Sequence, residues 1–461
     1  MKVKVLKFGG TSVGSPEAIK RSASIISDWS KKFKVIAVLS AMSGETDRLI
    51  NLAKTFSKNP NSMDYDNAIS TGENVSCSLM SIYLNSIKIK SRSLLSWQIP
   101  IRTSNEHMKS RILSIDQEKI FKELEEYDVL LIPGFQGINA KNEITTLGRG
   151  GSDTSAVAVA AAVDAECIIY TDVDGVYTTD PNLVKNAKKI PQISYEEMLE
   201  LASQGAKVLQ TRSVELAMRK KTKLSVRSSM KPKTSGTVVT EENSKLENNT
   251  VSGIAYSKDE AKITLSRVLD KPGVSSKIFG PLAKGNINVD MILQNVSQDG
   301  KFANLSFTLP RGDLEKALKI LKKEKTNIGY KKINSSNSIS KISVVGVGMR
   351  SHAGVAQTLF DTLGKNKINI QVITTSEIKI SILIDEKFCS TNFLIESEMS
   401  DTEKIYHRRV FPRTEIYHSD NCSVLPEDEK IDLVVGNPPH FENEEDAIKA
   451  LSAMGSPIFN D

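Results

Sequence analysis

The first ~225 residues alternate short apolar runs with helix-like segments, and this alternation limits the fold more than any other feature. Four runs read as buried strands: Val3–Phe8, Val35–Ser40, Asp128–Pro133 and Cys167–Thr171. Pro16–Trp29 reads as a helix with Ser15 as its N-cap. Continuously apolar strands are typical of parallel sheets covered on both faces. The pattern predicts an α/β fold with a mostly parallel central sheet, whose ligands bind at the carboxyl ends of the strands.

A later region contains an internal repeat with an offset of 81 residues and no gap. The alignment pairs Pro272-Gly273 with Ala353-Gly354, Phe279 with Phe360, Ile287 with Ile368, and Asn288 with Asn369. Each copy reads as a strand, a glycine turn, an amphipathic helix, an asparagine turn and a strand, which predicts a small α+β module present twice. Residues 228–252, between the two regions, are polar and predict a linker with at most a short strand.

Composition excludes several classes of protein. A length of 461 residues suggests about three domains. No apolar run approaches the ~20 residues of a membrane helix, and MKVKVLKFGG lacks the apolar core of a signal peptide. Four scattered cysteines do not suit a disulfide scaffold or a zinc site. The lysines are dispersed, which favours affinity for anionic small molecules, or simply a solvated surface, over nucleic-acid binding. We expect a cytoplasmic protein that binds neither nucleic acid nor membranes.

Three loops carry the residues suited to chemistry, and the first and third of them follow predicted strands. Lys7-Phe8-Gly9-Gly10 places a cation beside a backbone that can approach a phosphate closely. Gly148–Asp153 brings Arg149 and Asp153 to the start of a helix rich in alanine and valine, with Ser152 as a candidate N-cap. Thr171–Asp180 contains acidic residues and a glycine, which suit either a turn or the rim of a nucleotide and metal site.

The motifs together resemble those of the aspartate kinases, within the amino acid kinase family. They occur in that family's order: KFGGTS at 7–12, SAMSGETDRL at 40–49, STGE at 70–73, GFQG at 134–137, GRGGSDTSAVA at 148–158, YTDVDGVYTTDP at 170–181 and GAKVLQ at 205–210. The repeat is similar to the paired ACT modules of these enzymes. The resemblance implies a three-layer kinase sandwich followed by ferredoxin-like α+β modules. It also implies phosphorylation of the L-aspartate side chain by ATP, the first step towards lysine, threonine and methionine.

The resemblance further implies roles for individual residues. The catalytic set would be Lys7, Gly9, Gly10 and Asp153. The aspartate pocket would comprise Thr46, Glu73 for the α-ammonium, Gln136, and Arg149 for the α-carboxylate. ATP would contact Lys7, Phe8, Gly9, Gly10, Ser40, Thr171, Asp172, Tyr177, Asp180 and Lys207. Mg²⁺ would bridge the phosphates, and no protein metal ligand is predicted. Asn182 departs from the arginine of many relatives, which puts one nucleotide contact in question.

Regulation and assembly are also implied. Lysine, threonine or both would inhibit through a remote site formed by Gly273, Asn288, Asp290, Thr375 and Glu377, where two modules pair. The chain would form a homo-oligomer through these modules. The implied domains are a kinase at 1–228, a linker at 229–255, and ACT modules at 256–335 and 336–387, the second incomplete. Two other functions remain open: a catalytically silent amino-acid sensor, and another small-molecule kinase of the same family.

The segment 388–461 departs from the family and carries a net charge of −9. Within it, Asn437-Pro438-Pro439-His440 resembles the N-P-P-aromatic loop of adenosylmethionine-dependent methyltransferases. Residues 388–430 contain no glycine-rich cofactor loop, which disfavours an active methyltransferase. A fused fragment, frameshift or assembly chimera, and a divergent native ending, are the other interpretations.

Overall fold

The computed structural model describes residues 2–206, 208–242, 250–350 and 354–391, so the predictions for Lys207 and residues 392–461 lie outside the described residues. Among the described residues, the part of the chain up to Thr240 contains fourteen strands and eight α-helices. The strands are β1 Val3–Phe8, β2 Lys34–Leu39, β3 Ser91–Ser93, β4 Ile101–Thr103, β5 Ile112–Ile115, β6 Val129–Pro133, β7 Gln136–Ile138, β8 Ile144–Thr146, β9 Glu166–Thr171, β10 Val176–Tyr177, β11 Lys189–Ile190, β12 Gln192–Ser194, β13 Leu224–Ser228 and β14 Thr237–Thr240. The helices are α1 Pro16–Ser30, α2 Glu45–Phe56, α3 Ser62–Ile69, α4 Thr71–Ser86, α5 Gln117–Glu126, α6 Gly151–Ala162, α7 Tyr195–Ser203 and α8 Thr211–Lys220.

The predicted parallel sheet is confirmed. Eight strands pair in the order β12-β14-β13-β9-β1-β2-β6-β3, and every pair is parallel except β13 with β14. Alternate residues of β1 face different cores: Val5 packs with α5, α6 and α8, whereas Leu6 packs with α1 and α4. Helices therefore cover both faces, which gives the expected three layers. Ser15 caps α1 as predicted, because its hydroxyl accepts a hydrogen bond from the Ala18 N–H at 3.2 Å.

The segment predicted as a linker contributes to the kinase sheet. β14 pairs with both β12 and β13, and Val239 is fully buried in the core shared with α7 and α8. The domain built on this parallel sheet therefore extends beyond residue 228 to at least Thr240. Two apolar valines among polar neighbours were a weak sequence signal for this strand.

The region that contains the repeat forms one six-stranded sheet in the order β16-β17-β15-β18-β20-β19. Its strands are β15 Gly253–Leu269, β16 Ile292–Val296, β17 Phe302–Leu309, β18 Lys332–Val345, β19 Val372–Ser376 and β20 Lys379–Asp385. Its helices are α9 Val274–Lys284, α10 Leu314–Lys323, α11 Lys325–Ile328 and α12 Val355–Lys365. The bounds of α9 and α12 differ by the repeat offset, and left-handed glycines, Gly273 and Gly354, precede both helices.

The second module takes a strand from the chain that precedes the first module. Gly253–Ser257, the start of β15, pairs with β18, and Ile254 lies in the core of the second module. β18 is therefore paired on both sides, by β15 and by β20. The incompleteness predicted for this module is thus offset at its central strand by residues assigned from sequence to the linker. Across the described part of the chain, no helix is long and apolar enough to cross a membrane.

Candidate active site

The site is assembled where neighbouring parallel strands end. Phe8 at the end of β1 lies beside Leu39 of β2 and Tyr170 of β9, and Leu39 lies beside Pro133 of β6. Because these strands are parallel, the loops that follow them all emerge at the same edge of the sheet. The strand order therefore brings together the motif loops after β1 and β9, whereas the Gly148–Asp153 loop follows β8 of a separate four-stranded sheet and meets them through Asp153.

Lys7 and Asp153 form an ion pair at this edge. The Lys7 ammonium lies 2.6 Å from Oδ1 of Asp153, which belongs to the first turn of α6. Both side chains are about nine-tenths buried. A buried ammonium is stabilised by a facing carboxylate, so Asp153 holds the Lys7 charge in one position, as the predicted orienting role requires.

The two glycines after Lys7 contribute in different ways. A Cβ on Gly10 would lie 3.0 Å from the Ala41 carbonyl oxygen, so the chain here leaves no room for a larger residue without adjustment. The Gly9 N–H donates to the Tyr170 carbonyl at 3.3 Å and is therefore occupied within the sheet. Its predicted contribution to phosphate binding is limited to the absence of a side chain, because a Cβ here would lie 3.5 Å from the Lys7 ammonium.

Glu73 is a buried carboxylate with one unused oxygen. It is 3% exposed and lies in the first turn of α4. Its Oε1 accepts a hydrogen bond from the Ala41 N–H at 3.1 Å, whereas Oε2 has no partner among the described residues. Burial raises the pKa of Glu73 to about 7, against the lowering effect of the Ala41 N–H. An unpaired buried carboxylate is suited to receive an ammonium group.

Gln136 is buried, but its amide is used inside the protein. Its Nε2 donates to the Ser70 carbonyl at 2.7 Å and to Oδ1 of Asn74 at 3.1 Å, and its Oε1 accepts from Ser96 at 3.0 Å. Gln136 therefore holds the start of α4, which carries Glu73. Thr46 lies half-buried in the first turn of α2, at the end of the loop after β2.

Arg149 stands exposed between two glycines in the left-handed region, Gly148 with φ +77° and Gly150 with φ +69°. No ion pair or hydrogen bond joins its side chain to another described residue. A Cβ on Gly150 would overlap the Gln210 side chain at 2.3 Å, so this turn requires glycine. The prediction that Ser152 caps α6 is wrong, because the helix begins at Gly151 and Gly150 occupies the N-cap position.

The predicted nucleotide residues line the edge near β9. The Thr171 hydroxyl donates to Asp172, which is exposed, and the Tyr177 hydroxyl donates to Asp174 at 2.8 Å. Phe8 is fully buried and stacks on Tyr170, so it supports the loop rather than facing a ligand. Ser40 is half-buried at the end of β2, and its N–H donates to the Phe8 carbonyl.

Asn182, the departure from the family pattern, caps the neighbouring carboxylate. Its backbone N–H and its Nδ2 both donate to Oδ1 of Asp180, at 2.9 and 3.1 Å. Asn182 therefore fixes the Asp180 side chain instead of supplying a cation to this rim.

The five predicted regulatory residues fall into two groups on the six-stranded sheet. Gly273, Asn288 and Asp290 belong to the first module, whereas Thr375 and Glu377 lie at the far edge of the sheet, in or after β19. The two groups are separated by the intervening strands of a six-stranded sheet. The Asp290 carboxylate pairs with the Lys341 ammonium, which also lies 2.8 Å from Glu260, and Glu377 pairs with Arg350 at 3.4 Å.

Two residues that sequence reasoning missed, Asp66 and Arg212, contact the segments that carry the site. Asp66 lies in α3 and is wholly buried, and Arg212 lies in the first turn of α8. Their partners are between 41 and 102 residues away in the chain. No motif or spacing links such distant positions, so only the fold reveals them.

Comparison with known proteins identifies the families that this chain matches. The amino acid kinase family matches residues 2–228, and two ACT domain families match residues 263–326 and 342–391. The chain is 47% identical over 394 residues to an aspartate kinase from Pseudomonas putida, covering 84% of this chain and 95% of that protein. It is 47% identical over 389 residues to an aspartokinase from Helicobacter pylori, covering 83% of this chain and 95% of the relative.

A solved structure has the same architecture. Escherichia coli aspartokinase III in complex with lysine and aspartate is 25% identical, with a TM-score of 0.70 over 86% of this chain and 99% of that one. The same enzyme with aspartate and ADP gives a TM-score of 0.72 at 24% identity, covering 87% of this chain and all of the other.

Proposed function

This chain belongs to the aspartate kinases of the amino acid kinase family, and from that premise we propose which of its residues carry the reaction. The enzyme transfers the γ-phosphoryl group of ATP to the side-chain carboxylate of L-aspartate and forms 4-phospho-L-aspartate. A carboxylate is already a nucleophile, so no general base is required. Catalysis therefore depends on positioning and on stabilisation of the charge that moves during transfer.

The observation that carries the assignment is the buried Lys7–Asp153 pair at the edge where the loops after β1, β2, β6 and β9 meet. The Lys7 ammonium neutralises the phosphate oxygens as negative charge develops on them. Asp153 fixes that ammonium before the substrates arrive, so little reorganisation is needed during the reaction.

We assign the aspartate substrate to the groups around α4 and α6. The unpaired Oε2 of Glu73 accepts hydrogen bonds from the α-ammonium. The unpartnered guanidinium of Arg149 donates two parallel hydrogen bonds to the α-carboxylate. Thr46 and the Gln136-held start of α4 border this pocket. The side-chain carboxylate of the substrate then points towards Lys7.

We assign ATP to the loops after β1 and β9, with Asp172, Tyr177 and Asp180 at its rim. Mg²⁺ enters as part of the MgATP substrate. The rim suits this because carboxylate oxygens are the ligands that Mg²⁺ prefers. The fully buried free thiols of Cys77 and Cys167 agree with a reducing, cytoplasmic location.

We further propose feedback inhibition by lysine, threonine or both, through the ACT modules. Asp290 pairs with Lys341 but is half-exposed, so its carboxylate also suits the α-ammonium of an effector, while Gly273 leaves the start of α9 open to the effector's carboxylate. Thr375 and Glu377 lie in or after the opposite edge strand, β19, and we assign them to the same kind of site, completed by a second chain. This arrangement supports a homo-oligomer joined through the modules.

The test is aspartate-dependent release of ADP by the intact chain and two lysine variants. Lys7→Ala removes the charge at the strand end, and we expect turnover to fall by a factor on the order of a hundred or more. Lys4→Ala is the matched control, because Lys4 lies in the same strand and also pairs with a carboxylate, Glu166, but at its other end. Near-normal turnover by a folded Lys7→Ala variant would contradict the assignment.

A further inference from the structure

Asp66 is a buried carboxylate that accepts hydrogen bonds from two segments distant in the chain. Its side chain is completely buried in α3. Its Oδ2 accepts hydrogen bonds from the backbone N–H groups of Met108 at 2.9 Å and Thr146 at 3.1 Å, and lies 2.9 Å from Nδ1 of His107. Its Oδ1 accepts the Thr146 hydroxyl at 2.6 Å. A buried carboxylate is tolerated only when donors surround it, so these four contacts fix where the two distant segments lie.

Both of these segments touch the turn that carries Arg149. Thr146 is the last residue of β8, three positions before Arg149. Met108 has a left-handed backbone with φ +66°, and its carbonyl oxygen lies 3.1 Å from the position of a Cβ on Gly148. Asp66 therefore holds the start of the Gly148-Arg149-Gly150 turn through two segments, one at Thr146 and one at Met108.

Arg212 holds the same segment through a second set of contacts. Its Nη1 donates to the Leu147 carbonyl and its Nη2 to the Ser110 carbonyl, each at 2.6 Å. Ser110 in turn donates its N–H and its hydroxyl to the Thr146 carbonyl, at 3.0 and 2.9 Å. The planar guanidinium thus ties two neighbouring chain segments together with a fixed geometry.

Asp66 also connects the two ends of the substrate pocket. Helix α3 ends at Ile69, and α4 begins at Thr71 and carries Glu73 in its first turn. A shift of Asp66 relative to Thr146 therefore changes the spacing between Glu73 and Arg149. These are the groups assigned to the ammonium and the carboxylate of one amino acid, so their spacing sets how well it binds.

We propose that Asp66 is a positioning residue for aspartate binding: together with Arg212, it fixes the segment Thr146–Gly148 and so places the Arg149 guanidinium at the correct distance from Glu73. This inference rests on the proposed role of Arg149. Arg149 itself has no side-chain partner among the described residues, so its backbone is what determines where it stands. ATP is assigned to other loops and does not depend on this contact.

The test measures steady-state kinetics for Asp66→Asn, Thr146→Val and Thr146→Ser in the full chain. Asp66→Asn keeps the side-chain shape but loses the charge that strengthens the four contacts. Thr146→Val removes the hydroxyl donor, and Thr146→Ser retains it. For the first two variants, we expect the aspartate KM to rise roughly ten- to a hundredfold, while the ATP KM changes by less than about twofold. Thr146→Ser should stay close to the unmodified enzyme.

The matched control is Glu197→Gln, because Glu197 is also a fully buried carboxylate with several donors. It accepts from Ser194, Ser252 and the Val347 N–H and lies in α7, at the contact with the regulatory sheet. We expect a lower melting temperature for Glu197→Gln without a change in aspartate KM. A merely structural role for Asp66 would give the same result as this control.

Arg149→Lys, measured in parallel, separates the two proposals. If Arg149→Lys raises the aspartate KM but folded Asp66→Asn and Thr146→Val do not, positioning by Asp66 is refuted and the role of Arg149 stands. If Arg149→Lys leaves the aspartate KM unchanged, the role of Arg149 is wrong and the positioning inference fails with it. Equal increases in both KM values would also overturn the inference. If Asp66→Asn does not fold, Thr146→Val against Thr146→Ser decides.

Discussion

Replacing Glu73 by Gln should stabilise the protein at pH 8 while weakening aspartate binding. The ionised carboxylate is buried, and its Oε2 has no partner among the described residues. Burial raises the pKa of Glu73 from 4.5 to about 7. Each tenfold change in acidity corresponds to about 1.4 kcal/mol, so the buried charge lowers the free energy of unfolding by about 3 kcal/mol at pH 8. Gln removes that charge and keeps the shape.

The direction of the pH dependence follows from the raised pKa. Between pH 4.5 and about 7 the folded state binds more protons than the unfolded state. The contribution of Glu73 to the free energy of unfolding therefore becomes less favourable as pH rises. The stability advantage of Glu73→Gln should therefore be about 2.5 kcal/mol smaller at pH 5 than at pH 8. The assay is thermal or urea unfolding of both proteins across this range.

Glu166→Gln is a control for which we expect a loss of stability, in contrast to the gain expected for Glu73→Gln. Burial acts to raise the pKa of Glu166, but hydrogen bonds from Lys4 and Ser225 outweigh this effect and hold the pKa below its usual value. The stability contributed by Glu166 is present above its unfolded pKa and is lost only at more acidic pH. We therefore expect Glu166→Gln to be less stable than the unmodified protein by an amount that stays constant between pH 5 and pH 8.

The aspartate KM should also depend on the protonation of Glu73. An ammonium binds ionised Glu73, so the aspartate KM of the unmodified enzyme should rise about tenfold from pH 7.5 to pH 6 as the carboxylate is protonated. Glu73→Gln should have a high aspartate KM that does not change over this range. A Gln variant that is less stable at pH 8, or that keeps a low and pH-dependent aspartate KM, would refute the reasoning.

Three further predictions concern the other groups. Arg149→Lys should raise the aspartate KM much more than the ATP KM, because a point charge replaces a fork; equal changes would contradict the role. Asp290→Asn should weaken inhibition by lysine or threonine by about 1–3 kcal/mol of coupling without changing uninhibited turnover; unaltered inhibition curves would remove Asp290 from the effector site. Asn182→Ala should raise the ATP KM more than the aspartate KM, because Asp180 loses its Nδ2 donor and keeps only the backbone N–H of residue 182; an unchanged ATP KM would show that Asp180 does not need this support.

The parts of the fold predicted from sequence are those encoded locally. The apolar runs that became β1, β2, β6 and β9 and the Ser15 cap depend on neighbouring residues, and the repeat gave both ACT helices. β14 was assigned to a linker because the burial of Val239 depends on strands far away in the chain. Ser152 was a reasonable N-cap by residue type, but the left-handed Gly150 occupies the N-cap position two residues earlier.

In the candidate site, too, the sequence predicts what depends on neighbouring residues and not what depends on distant ones. Lys7, Asp153, Glu73 and Arg149 stand at the ends of elements recognisable in the sequence, so their motifs predicted their position. The internal use of the Gln136 amide depends on Ser70 and Ser96, which pair with it only in the folded chain. Asp66 gave no signal, because its donors come from segments 41 to 80 residues away.

The central claim is that this enzyme phosphorylates the side-chain carboxylate of aspartate by means of Lys7. The most direct measurement is to incubate the enzyme with MgATP, L-aspartate and hydroxylamine, which traps an acyl phosphate as its hydroxamate, and to quantify hydroxamate and ADP together. We predict equal amounts of aspartyl hydroxamate and ADP, far less of either with Lys7→Ala, and no comparable product when glutamate replaces aspartate. ADP release without hydroxamate, or equal product from glutamate, would contradict the account.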